Sequence, residues 1–195
     1  MQNNLLIIFI KNTIKGKVKT RLAKDIGDDK ALEVYKELLN HTHLITSRLD
    51  LSKEVYYDAY IENNDIWKST KYNKSIQHGD DLGSKMSFAF EQGFKAKKES
   101  ICIIGSDCYD LTSSIIEKAF EQLKTFDFVI GPANDGGYYL LGMNQYHPQL
   151  FDNKIYSTDT VLDDAIHEIK SLNKSYCLLP KLTDIDNIND LKKFQ

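Results

Sequence analysis

The chain has 195 residues, 42% hydrophobic and 27% charged, enough apolar material for a sizeable core and a balance that excludes a disordered, collagen-like or disulfide-stapled chain. Lysine and arginine total 25 against 28 acidic residues, a formal charge of -3, so there is no overall basic field to hold nucleic acid and any basic site must be local. Cys102, Cys108 and Cys177 are scattered and form no CxxC pair, which argues against a thiolate metal site and for a reducing compartment, with the cytoplasm as the expectation.

Leu5 to Ile10 (LLIIFI) is a continuous apolar run, the pattern of a strand buried on both faces, and it is far shorter than the roughly 18 residues of a membrane span. No integral membrane segment is expected. Asp29 to Arg48 carries Leu32, Tyr35, Leu38 and Leu39 at helical spacing, and VYYDAYI at Val55 to Ile61 reads as a strand. A short strand is expected at Ser75 to His78, then a helix from Gly83 with Met86, Phe90 and Phe94 on one face as core. Ile101 to Gly105 (ICIIG) is a second buried strand. Ser114 and Glu117 have the spacing of a capping box for the next helix. Strands follow at Phe126 to Gly131 and Tyr138 to Met143, a helix from Thr160, a strand at Tyr176 to Leu179, and a short helix capped by Asn187. The alternation predicts an α/β fold with a mostly parallel sheet covered on both sides, and with no repeat or linker the whole of 1–195 reads as one domain.

In such a sheet the loops leaving the carboxyl ends of the strands line the ligand crevice. The first is KNTIKGKVKTRLAK, in which Lys11, Lys15, Lys17, Lys19, Arg21 and Lys24 surround Gly16. Its charges and free amides suit the oxygens of a diphosphate, although a solvated basic loop would look the same. It is neither a P-loop nor a GxGxxG turn. The loop after ICIIG holds Asp107 and Asp110, hard oxygen donors that favour Mg²⁺ or Mn²⁺ over Zn²⁺, or else simple turn and helix-start residues. In GPANDGGYYLLG, Gly136 and Gly137 permit close backbone approach beside Asp135, as would a plain turn. In TDIDNINDL, Asp186 could complete a metal shell while Asp190 serves the first turn of the last helix. Cys108 has no histidine partner in sequence and reads as a bystander thiol. His41 and His43 do not share a helix face, so they make a poor metal pair. Tyr138 and Tyr139, as strand neighbours, should face opposite sides of the sheet.

The ordered blocks FIKNTIKGKVKTRL, GDDLGSKM, GSDCYDL, GPANDGGYYLLG, YSTDTVL and TDIDNINDL span nearly the whole chain. Together they resemble a family of small stand-alone bacterial proteins in the nucleotide-diphospho-sugar transferase superfamily, the GT-A-like glycosyltransferases. The resemblance implies a Rossmann-like GT-A fold with a central mixed sheet, a nucleotide sugar donor, a small-molecule acceptor, and Mg²⁺ or Mn²⁺. By the same resemblance Asp107 is the metal carboxylate of the DxD position, although the chain reads DCYD, with Tyr109 where the family often has proline. Lys11, Lys19 and Arg21 correspond to phosphate- or nucleotide-holding cations, Asp81 and Gly83 to a base- or ribose-side loop, and Asp135 to a general base on the acceptor side. Two alternatives stay open. The superfamily includes nucleotidyltransferases that release pyrophosphate, and a non-catalytic nucleotide binder would carry the same loops.

Overall fold

The computed structural model describes residues 3–152, 154–156 and 158–194. In chain order the elements are β1 (Asn4–Ile10), α1 (Thr20–Ile26), α2 (Asp28–Ser47), β2 (Ser52–Tyr57), β3 (Asn73–Ile76), α3 (Leu82–Lys95), β4 (Ser100–Ile104), α4 (Ser113–Gln122), β5 (Phe128–Pro132), β6 (Tyr138–Met143), α5 (Val161–Ser171), β7 (Tyr176–Leu178) and α6 (Ile188–Leu191), with a 3-10 turn at Pro148–Phe151. The strands form one seven-stranded sheet in the order β3-β2-β1-β4-β6-β5-β7. All adjacent pairs are parallel except those of β6, which runs antiparallel to β4 and β5. The expected mixed, mostly parallel sheet is therefore present.

Period-2 alternation within the apolar strands divides the core into two layers. Leu6, Ile8, Ile10, Val55, Tyr57 and Ile104 pack on one face with Tyr35, Leu39 and Phe120 of the helices above them. Leu5, Ile7, Phe9, Ile101 and Ile103 pack on the other with Met86, Phe90, Ala165 and Ile169, so the inward stripe read on α3 is core. A third cluster of Leu22, Leu38, Ile185 and Leu191 docks α1 and α6 onto α2.

Several boundaries differ from the sequence reading, each for a local reason. Strand β2 stops at Tyr57 rather than Ile61 because the next amides leave the ladder: those of Ala59 and Tyr60 donate to the side-chain oxygen of Asn12 at 3.2 Å. Strand β3 begins two residues before the expected Ser75. The N-cap of α4 is Thr112, whose hydroxyl accepts from the Ile115 amide at 3.3 Å, in place of the expected Ser114–Glu117 box. Asn187 does cap α6, in a reciprocal box with Asp190.

Chain order reverses between β1 and β4, which lie side by side although β2 and β3 are threaded before β4. Such a switch point leaves a crevice at the strands' carboxyl ends, and it puts the loops after Ile10 and Ile104 next to each other. Because β6 is antiparallel to β4, with Leu140 opposite Ile104, the loop entering β6 opens at the same end. Four of the loops singled out by composition meet there.

Candidate active site

The crevice is a cleft of about 630 Å³ lined by Lys11, Lys19, Arg21, Asp107, Asp135, Gly137 and Asp186, among others. These are seven of the ten residues proposed from the sequence. Asp81, Gly83 and Gly136 are not in the lining. Asp81 caps α3, its carboxylate accepting from the Ser84 amide at 2.7 Å, and that bond holds its pKa below the ordinary value. Gly83 lies against the ring of Tyr156, which does line the cleft, and a Cβ there would collide with that ring. Gly136 has φ +90°, and a Cβ on it would collide with the backbone of Asp159. Its carbonyl accepts from Leu162 at 2.9 Å, so this glycine locks the turn after β5 to the start of α5. Of the YSTDTVL block, Ser157 lies outside the described residues.

Lys19 is the electrostatic centre. It takes a left-handed backbone conformation, φ 46°, immediately before α1, and its side chain is only 4% exposed. Its ammonium lies 2.9 Å from Asp107 Oδ2 and 3.3 Å from Asp186 Oδ1, while Arg21 approaches the other oxygen of Asp186 at 3.6 Å. Burial pushes the Lys19 pKa down, but the two carboxylates outweigh it and the net displacement is upward. The cationic loop and both acidic loops are thus ionically joined. One backbone and one side-chain bond fix the same meeting, the Ile185 amide donating to the Asp107 carbonyl at 2.9 Å and Asn134 Nδ2 donating to Thr183 Oγ1 at 2.6 Å. On the other flank, the Tyr35 hydroxyl both accepts from the Lys11 amide and donates to the Lys11 carbonyl, and Gln77 donates to the carbonyls of Ile10 and Tyr56 at 3.0 Å each.

The residue the sequence reading passed over is Asp184. It lines the cleft, and burial, together with Asp107, Asp135 and Asp186 nearby, pushes its pKa up to about 7 from an ordinary 3.8, with Lys19 pulling the other way. The TDID run contained it, but only the folded arrangement separates the partly buried Asp184 from the ion-paired Asp186. Asp135 stands exposed on the wall formed by the turn into β6, its Oδ1 accepting from the Gly137 amide at 2.9 Å.

Asp110 is exposed and outside the cleft lining. Cys108 is buried and its thiol is pushed up to about 12, which leaves it protonated and unreactive, as expected of a bystander. His41 bonds the Leu111 carbonyl, His43 packs edge-on against Trp67, and His78 packs against Phe88. Tyr139 joins one core layer and Tyr138 packs against the other, as strand alternation requires, yet both reach the cleft because they lie at the sheet's end.

The donor set suits a hard divalent cation in one respect and is incomplete in another. Asp107, Asp184 and Asp186 offer only carboxylate oxygens, the ligands of Mg²⁺ or Mn²⁺. Among the described residues no three acidic, histidine or cysteine side chains converge on one point. Magnesium is commonly held by one or two carboxylates together with substrate phosphates, so Asp107 and Asp186 fit an ion that shares its shell with a bound diphosphate.

Sheet order, switch-point cleft and loop placement define the Rossmann-like α/β fold of the nucleotide-diphospho-sugar transferases. The chain belongs to the family described as "Uncharacterized protein conserved in bacteria (DUF2064)", whose model matches residues 42–158. That match includes Asp107 and Asp135 and leaves Lys11, Lys19, Arg21 and Asp186 outside it. A crystal structure from Desulfovibrio desulfuricans G20, provisionally assigned as a nucleotide-diphospho-sugar transferase, is similar at TM-score 0.93 and 28% identity, covering 100% of this chain and 87% of that one. Two more distant structures share the fold alone. One is 4-diphosphocytidyl-2C-methyl-D-erythritol synthase, with TM-score 0.64, 10% identity and coverage of 100% and 97%. The other is an inositol-1-phosphate CTP transferase from T. maritima, with TM-score 0.60, 12% identity and coverage of 97% and 91%. No curated protein matches the sequence. Among the described residues no helix is long and apolar enough to cross a membrane.

Proposed function

We propose that this protein is a metal-dependent glycosyltransferase that moves a sugar from a nucleoside diphosphate sugar to a small-molecule acceptor. The observation that supports the reading is the meeting of Lys19 with Asp107 and Asp186, which brings a cation suited to phosphate and oxygen donors suited to a hard metal into one cleft. The similarity to the D. desulfuricans protein supports the same class.

In this reading Lys11, Lys19 and Arg21 hold the donor diphosphate, and Asp107 and Asp186 hold Mg²⁺ or Mn²⁺. The ion would supply neutralisation of the charge that builds on the departing diphosphate. Asp135 takes the proton of the acceptor hydroxyl as that oxygen bonds to the anomeric carbon and the bond from that carbon to the diphosphate oxygen breaks, its electron pair leaving with the nucleoside diphosphate. The Gly137 amide keeps the Asp135 carboxylate oriented for that role. Asp81 and Gly83 shape the base- or ribose-side wall, Asp81 by starting α3 and Gly83 by admitting Tyr156.

Incubation with nucleotide sugars and Mn²⁺ is expected to release nucleoside diphosphate. Release of pyrophosphate from nucleoside triphosphates would instead select nucleotidyl transfer, the activity that several fold neighbours' names describe. Failure of any nucleotide to bind would select neither. Asp107→Asn is expected to weaken Mn²⁺-dependent nucleoside diphosphate binding by about 100-fold or more, as loss of one charged metal ligand should. Calorimetry with and without Mn²⁺ measures this, and equal affinities for variant and parent would remove Asp107 from the metal site.

A further inference from the structure

Strand β1 has no ladder partner beyond Ile10, since its last pair with β2 is Ile10 with Tyr57 and its last pair with β4 is Ile8 with Ile104. The backbone past that point is nevertheless held, by side chains. Gln77 donates to the Ile10 carbonyl at 3.0 Å, and the Asn12 amide donates to Asp58 Oδ1 at 2.6 Å. Between them, both backbone groups of Lys11 are taken by one hydroxyl, that of Tyr35, which accepts from the Lys11 amide at 2.7 Å and donates to the Lys11 carbonyl at 3.1 Å.

Tyr35 belongs to α2, is 2% exposed, packs its ring in the first core layer and still lines the cleft. Its hydroxyl lies 3.5 Å from Ser106 Oγ, which is also buried and is itself 3.5 Å from Asp107 Oδ1. The hydroxyl therefore stands at the switch point between the loop after β1 and the loop after β4, 24 positions along the chain from Lys11 and 71 from Ser106. Burial raises its pKa, so it stays a hydroxyl and can donate and accept together. The side chain of Lys11 is exposed, and among the described residues it makes no ion pair, so only its backbone is tethered.

We propose that Tyr35 is a positioning residue for the anion end of the cleft. By holding both backbone groups of Lys11 from a buried helix, it fixes that lysine relative to the Asp107 loop before any ligand arrives, and a diphosphate then binds without first ordering the loop. The role rests on the reading of the cleft as a diphosphate site and deepens it by naming the group that presets the site. It does not depend on whether a sugar or a nucleotidyl group is transferred.

Tyr35→Phe keeps the ring and removes only the hydroxyl. Calorimetric titration of the full-length protein with inorganic pyrophosphate and Mg²⁺ is expected to show an affinity about fivefold to tenfold lower in Tyr35→Phe. Lys11→Met alone should lose about tenfold or more. Because the tyrosine acts through the lysine, adding Tyr35→Phe to Lys11→Met should change affinity by less than about twofold. A tyrosine that only supported the fold would weaken both backgrounds alike, and such additivity would overturn the proposal, as would parental affinity in Tyr35→Phe. The parent protein supplies a test that needs no variant. Although Lys11 is exposed and beyond the ladder, its amide should exchange with solvent at least about 100-fold more slowly than an unprotected amide, and unprotected exchange would also overturn the assignment. Losses that add, in a parent that binds pyrophosphate, would remove the role of Tyr35 alone. A parent that binds no pyrophosphate would remove the diphosphate reading of the cleft and this role with it.

Discussion

Lys19→Met is expected to cost the protein both its stability margin and its activity. The ammonium is nearly inaccessible and is the charge shared by Asp107 and Asp186, while Asp184 lies close enough for the same lysine to affect its titration. Removing one member of a buried ion pair typically costs about 3–5 kcal/mol. Here Asp107 and Asp186 are 41% and 38% exposed, so water compensates part of the loss and about 2–3 kcal/mol is expected at pH 8. Methionine keeps the volume and meets the same left-handed backbone, so the difference reports the charge. Urea denaturation at pH 8 measures it, and an unchanged midpoint would mean that the lysine does not hold the acidic loops together. Donor turnover should fall by about 1,000-fold or more, because the same ammonium is the one placed for the diphosphate.

Asp184→Asn is expected to do the opposite to stability. Its carboxyl titrates near 7 in the folded protein against 3.8 as the ordinary value. Between those pH values the unfolded chain has released a proton that the folded protein still holds, so the parent loses stability as pH rises through that window and stays lower above it. Three units correspond to about 4 kcal/mol as an upper figure, and about 2–4 kcal/mol is the expected range. Asparagine has no proton to lose. The variant should match the parent near pH 4 and exceed it at pH 8, with EDTA present to keep adventitious cations from relieving the repulsion. Calorimetric melting of the pair at both pH values decides the matter, since a difference independent of pH would show that Asp184 is not held protonated by its surroundings.

These opposite signs come from one arrangement. Four carboxylates, Asp107, Asp135, Asp184 and Asp186, face a cleft in which the buried cation is Lys19, and the other three all act to raise the pKa of Asp184. Clustered groups with displaced pKa values are what functional sites retain at the expense of stability.

Much of this was legible along the chain. The apolar runs LLIIFI and ICIIG had the pattern of doubly buried strands, and the stripe on α3 read as core because its spacing is helical. The loop residues announced their chemistry by type: cations around one glycine, aspartates at strand mouths, an Asp before two glycines. Even Asn187 and Asp190 could be read as a cap, since capping is settled within a few residues. The end of β2 and the cap of α4 escaped that reading because their partners, Asn12 and Ile115, compete with more obvious local patterns.

The sequence by itself determined which elements form and what kinds of group their loops carry, because both follow from contacts within a turn or two of chain. Only the tertiary structure decided that Lys19 would meet Asp186, 167 positions away, and that Asp184 would stand partly buried among other carboxylates while its neighbour two residues on is paired. Strand order makes that choice, by placing β4 against β1 and turning β6 around, and strand order is set by the packing of whole layers, which no short stretch of residues encodes.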